Sequence, residues 1–267
     1  MVTDKGHFAP HFPLSVRNAA FLWEWMAGGY PIFPGIVTAA LIDSYGPSYF
    51  WFPRKEQYET PLEYKLRLTE YKAEHFAHLQ GDSDLASALN MWSSLTTALS
   101  GIEGTVGQVV QWSNQQSMNA KKIRELLSIV QQCVKAAARL GYDVQLGPFT
   151  TEGVISAARP LLRKVYQDQI FEQRGSSYVN VRNREVYKLD LREQISTNPE
   201  PAGLIALVTA EIQGQKGTLK LISFSLNTDI DSTGKSLGSR IVRRGPPITR
   251  SPNQQVTAAL DLLSTLT

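Results

Sequence analysis

The chain has 267 residues, of which 42% are hydrophobic and 19% charged, with a formal net charge of +3. That length buries a sizeable core as one large domain or two small ones, and the charge is too small by itself to define a nucleic-acid-binding domain. A single cysteine, Cys133, excludes an intramolecular disulfide and a cysteine-based zinc site.

The first residues lack a basic stretch followed by an apolar run, so export through a signal peptide is not expected. Thirteen of the 25 aromatic residues fall within the first 60 positions, mixed with proline and glycine. This composition predicts an aromatic-rich extended N-terminal arm over 1–59, with one short helix in SVRNAAFLWEWMAGG. Such a segment gains stability only by laying its rings on another surface. Trp23, Trp25, Tyr30, Phe33, Tyr49, Phe50, Trp51 and Phe52 are the candidate contact residues. Trp25 to Ile42 contains no charge. A membrane-spanning helix needs about 20 apolar residues. Here Gly28, Gly29, Pro31, Pro34 and Gly35 interrupt the run, so no membrane span is expected.

Thr60-Pro61-Leu62-Glu63 forms a capping box with proline at the first helical position, predicting a helix through about His78. Leu62, Leu66, Ala73 and Phe76 share one side, with Leu68 and Tyr71 adjacent; Lys65, Arg67, Glu70 and Lys72 solvate the rest. His75 and His78 lie three apart on this helix, a spacing that metal sites use, but the other histidines, His7 and His11, form no second cluster. No metal site is expected.

Asp82 or Ser83 opens a second helical region to about Leu140. Its apolar stripe runs from Leu85 to Val109 and resumes from Ile123 to Ala137, predicting a long helical hairpin or a bent helix. Cys133 falls on that stripe and reads as a buried thiol. A third helical region spans about 151–174, with Pro160 kinking or dividing it and Gly175 ending it. The period then switches to two. SYVNV and REVYKLDLREQI flank a turn at Arg182-Asn183. GLIALVTAEIQ and TLKLISFSL flank GQKG. These read as antiparallel strands over about 177–227.

NTDIDSTGKS, from Asn227 to Ser236, invites three chemical readings. Gly234-Lys235-Ser236 ends like a phosphate-binding loop, but the first glycine it requires would stand at Asp229. Asp229 and Asp231 open like a calcium loop, whose closing glutamate would fall at Arg240. DIDST is similar to the nucleophile loop of haloacid-dehalogenase-type phosphatases. That resemblance would make Asp229 the nucleophile and Asp231 the acid/base, but too few acids follow for the family's site. A polar turn leaving a strand explains the stretch without chemistry.

The stretch from Ser232 to Leu260 holds Lys235, Arg240, Arg243, Arg244 and Arg250 and no acid. Ser251-Pro252-Asn253-Gln254 is another helix start, followed by Val256, Ala259, Leu260, Leu263 and Leu266 at helical spacing. A helix of about 15 residues is marginal alone in water, so it is expected to dock.

The expected fold is therefore α+β. An α+β body over 60–227 combines helices and a small antiparallel sheet, flanked by the N-terminal arm and by a basic linker with a C-terminal docking helix over 228–267. The expected function is a non-enzymatic structural component of a large assembly. The setting expected is a virus or phage particle (tail, baseplate, neck or capsid), in the virion or a cytoplasmic assembly, with no cofactor. Its arms would bind neighbouring subunits, homo- or hetero-oligomeric, through the aromatic residues above and Arg240, Arg243, Arg244, Arg250, Leu260 and Leu263. The alternatives are a nucleic-acid-binding accessory protein using 235–250, which is not favoured, and a hydrolase using Asp229 and Asp231.

Overall fold

The computed structural model describes residues 4–44, 49–99, 105–190, 195–196, 200–214 and 217–228. After a short first helix, α1 (Asp4–Phe8), come two helices, α2 (Val16–Ala27) and α3 (Ile32–Asp43), which between them hold most of the uncharged run. Ser15 caps α2 by accepting a hydrogen bond from the Asn18 amide, and Gly29, at φ 75°, turns the chain into α3. Pro34 stands in the first turn of α3, where its missing N–H costs no helical hydrogen bond. α3 is apolar on every side and buried along nearly its whole length, so it needs cover all round. That cover comes from α2, α5 (Asp84–Leu99), α7 (Ala120–Arg139) and α8 (Thr151–Val165). Residues 16–43 are thus the centre of the core, where an extended arm was expected. The glycines and prolines that look like interruptions mark helix ends.

The 82–140 region divides into three helices among the described residues. α5 is followed by α6 (Val106–Gln115), which opens on a capping box between Thr105 and Gln108, and by α7, capped by Asn119. Ser117, at φ 54°, breaks the chain between α6 and α7. Gly141, at φ 84°, follows the end of α7, as a left-handed helix terminus requires. Cys133 is buried on α7, and burial pushes its thiol up to about 12.

α8 passes through Pro160 as one helix and ends at Val165, short of the expected 174. Residues 170–174 instead pair with two other strands. The strands are β1 (Ile170–Arg174), β2 (Ser177–Asn180), β3 (Val186–Leu189), β4 (Gly203–Gly214) and β5 (Gly217–Asn227). Gly175, expected as a helix end, holds φ 62° in the β1–β2 turn. The sheet closes into a barrel in the order β1-β2-β3-β5-β4. All pairs are antiparallel except β3 with β5, whose register is Lys188 with Leu221 and Leu189 with Ile222. The α+β class holds, but the expected antiparallel sheet is a closed barrel with one parallel seam.

Phe171, Tyr178, Tyr187, Leu204, Ala206 and Ile222 form the barrel's own small core. Ile205, Leu207, Phe224 and Leu226 join the large helical core instead. The β4–β5 pair therefore buries both faces where it meets the helices, one inside the barrel and one against the helical core. Among the described residues no helix is long and apolar enough to cross a membrane.

α2 and α3 approach closely because Gly35 has no side chain. A Cβ there would lie 2.5 Å from the Trp25 ring. Trp25 is fully enclosed, and its Nε1 donates to the Pro31 carbonyl at 2.7 Å. Gly35→Ala is expected to destabilise the fold by about 1–3 kcal/mol through overpacking, read as a lower midpoint in denaturant unfolding.

Candidate functional site

Among the described residues, three regions hold groups capable of binding or chemistry. The first is α4 (Pro61–Phe76) and the segment before it. The Thr60–Glu63 capping box forms in both directions. Arg67 clamps Glu59 with two 2.7 Å hydrogen bonds, from Nε and from an Nη, and donates a third to the Arg54 carbonyl at 2.9 Å. These bonds hold the Glu59 carboxyl down at about 2. Tyr64 donates to the Pro53 carbonyl at 3.1 Å. At the other end, Phe76 is enclosed by the rings of Phe50, Phe52 and Tyr71, with centroids 5.1, 5.7 and 5.9 Å away. The helix is thus fastened along its Tyr64–Leu68–Tyr71 side. The opposite side shows Leu62 (66% exposed), Leu66 (57%), Thr69 and Ala73 to solvent. Tyr58, just ahead of the helix, is 92% exposed. The stripe read as core-facing from the sequence is outward-facing except for Phe76.

The second region is the seam between helices and barrel. Asp84, in the first turn of α5, is buried. Its Oδ2 accepts from the Ser225 amide at 3.0 Å and from the Ser225 hydroxyl at 2.9 Å, while Oδ1 has no hydrogen-bond partner. Burial pushes this carboxyl up to about 7, against the Ser225 hydrogen bonds and the charge of Lys72. Lys72 is pulled down to about 8 by its own burial, partly offset by Asp84 and Asp190. Both shifts have the same origin, since desolvation disfavours charge on either partner.

The third region lies where α2, α8 and β4 meet. A groove of about 970 Å³ runs between α2 and α8, with Val16, Ala20, Pro160 and Ile170 among its lining residues. Beside it is a polar cavity of about 350 Å³ near Asp43, Tyr166 and Gln169. Asp43 accepts from the Ser15 amide and from Asn18 Nδ2, both at 2.8 Å, and the Tyr166 hydroxyl donates to Asn18 Oδ1 at 2.7 Å. Arg17 stacks on Tyr166 at 4.9 Å and pairs with Asp168 at 2.9 Å; Lys164 pairs with Glu24 at 2.6 Å. These pairs pin α2 to α3 and α8, while Gln169 Oε1 is buried without a hydrogen-bond partner.

The candidate contact residues separate by environment. Trp25, Phe33, Tyr49 and Phe50 are buried in this chain's own core, so these four do not face outward, while Trp23 and Phe52 are half-buried against it. Tyr30 (38%) and Trp51 (56%) remain exposed. The physical reason is that 49–51 is tied to the link between α6 and α7. Asn119 N donates to the Tyr49 carbonyl at 2.7 Å and Trp51 N to the Ser117 carbonyl at 2.9 Å. Tyr49 and Phe50 are both buried there, and Trp51 is left out. His78 Nε2 sits 3.0 Å from Gln116 Oε1, and the His75 ring lies 4.2 Å from that of Tyr71. Among the described residues no three metal-binding side chains gather. Arg240, Arg243, Arg244, Arg250, Leu260, Leu263, Asp229 and Asp231 lie outside the described residues.

No protein-family profile matches the chain. It is 25% identical over 213 residues to the uncharacterized protein L581 of Acanthamoeba polyphaga mimivirus. The likeness is to a viral protein. The matched part is 74% of this chain but 28% of the relative, so the chain spans little more than a quarter of that protein's length.

Asp84 gives the seam a definite pH response. Its folded-state value of about 7 lies above the ordinary 3.8, so the folded state holds the proton more tightly. This group's contribution to stability is therefore greatest at acid pH and falls as pH rises from 3.8 to about 7. Asp84→Asn keeps an acceptor for Ser225 and removes the titration. The variant is expected to gain on the wild type across that window, by an amount on the order of a few kcal/mol, in thermal melts run at matched pH values.

Proposed function

We propose that the chain is a non-enzymatic structural subunit of a multi-subunit virus particle, and that its α4 side docks neighbouring subunits. The observation that carries this reading is the outward apolar stripe of α4, with Leu62 and Leu66 more than half exposed and Tyr58 almost free. Large apolar side chains grouped on one helix face mark surfaces that other proteins cover. The similarity to a mimivirus protein supports the viral setting. The polar groups support a structural role as well. Asp43, Asn18 and Tyr166 join α2 to α3 and α8, and Asp84 joins α5 to β5.

The test is quantitative mass spectrometry of purified virus particles together with lysate from infected cells. The chain is expected in the particles at many copies, and retained after a high-salt wash. Presence in the lysate with absence from the particles would overturn the reading. Loss in the salt wash together with released nucleic acid would point to the accessory-protein alternative, because phosphate contacts weaken steeply with salt.

A further inference from the structure

We infer that the exposed face of α4 is a self-association surface, which packs in parallel against α4 of a second copy of this chain. The inference rests on the assembly reading above and names the occupant of its docking surface. The spacing of the outward residues is the first observation. Leu62, Leu66, Thr69 and Ala73 follow one another at four, three and four residues, the alternation of a coiled-coil seam. All four are exposed, on the side of α4 away from Leu68.

The charges beside the seam are the second observation, and they select the occupant. Lys65 borders the seam on one flank, and Glu63 and Glu70 border it on the other; all three are exposed. In a parallel pair each flank faces the opposite flank of the partner helix. Lys65 then meets the partner's Glu70, five residues further on, and the symmetry repeats the contact. In an antiparallel pair each flank faces its own copy, setting Glu63 and Glu70 against carboxylates and Lys65 against an ammonium. The pattern is self-complementary in one orientation only. Small residues at Thr69 and Ala73 let the helices approach at the end where Phe76 is committed to the chain's own core.

The experiment uses the full chain. Sedimentation velocity over a concentration series is expected to show the wild type passing from monomer to dimer, and Leu66→Asp remaining monomeric with an unchanged circular dichroism spectrum. Lys65→Glu and Glu70→Lys are each expected to weaken association about tenfold, and the double variant Lys65→Glu/Glu70→Lys to restore it. Leu62→Cys is expected to form an interchain disulfide on mild oxidation, since Cys133 is buried and does not compete. A wild type that stays monomeric throughout, or a dimer indifferent to Leu66→Asp and to the charge reversals, overturns the inference. So does failure of Leu62→Cys to cross-link when the double variant Leu62→Cys/Ala73→Cys does so between chains. A chain that is abundant in particles yet shows any of these results retains the assembly reading and loses only this occupant.

Discussion

Every other part of the molecule answers to one requirement, that α3 have no face in water. A helix apolar all round gains nothing from one partner; it needs several. α2 supplies the nearest, brought to contact by the absence of a side chain at Gly35 and held there by Trp25. α5, α7 and α8 supply the rest. The polar pins at Ser15, Asn18, Asp43 and Tyr166 then satisfy the ends of α2 and α3 where the apolar wrapping stops. Asp43 closes the hairpin on itself through Ser15 and Asn18, and Tyr166 then ties it to the end of α8.

The barrel extends the same wrapping. One side of its β4–β5 pair carries Ile205, Leu207, Phe224 and Leu226 into the helical core, and the other encloses a small core of its own. Asp84 stands at the junction, with one carboxyl oxygen donated to by Ser225 twice and the other without a partner. A buried carboxylate with one oxygen unpaired costs free energy, and protonation relieves the charge part of that cost. The joint between helices and barrel is thus the place where burial and charge oppose each other most directly.

Local signals were legible wherever neighbours in sequence decide the outcome. The Thr60–Glu63 capping box, the burial of Cys133 and the β4–β5 hairpin all follow from residues a few positions apart. Three features did not, each for a physical reason. Glycine and proline around 28–35 read as breaks, although their meaning depends on whether they fall inside a helix or at its ends. The parallel β3–β5 seam depends on pairing across a long crossover, which the period-two pattern does not encode. The outward turn of Leu62 and Leu66 was equally hidden. Periodicity groups residues on a face but does not say which face is covered. Here the Glu59–Arg67 clamp and the ring cluster around Phe76 decide it, by fastening the other side. Of the described candidate contact residues, Trp51 and Tyr30 are exposed, while an exposed apolar stripe lies on the helix assigned to the core.

The Asp84–Ser225 contact has a consequence for biosynthesis. Its two ends are 141 residues apart in the chain. On the ribosome, α5 emerges long before β5, and Phe224 and Leu226 emerge last among the described residues of the helical core. At elongation rates of about 5–20 residues per second, the nascent chain carries an unfinished core for roughly 10 seconds or more. During that interval the α5 end that Ser225 later covers faces solvent, where a carboxylate is well hydrated. A carboxylate suits that hydrated state, and the docking of β5 raises its affinity for a proton.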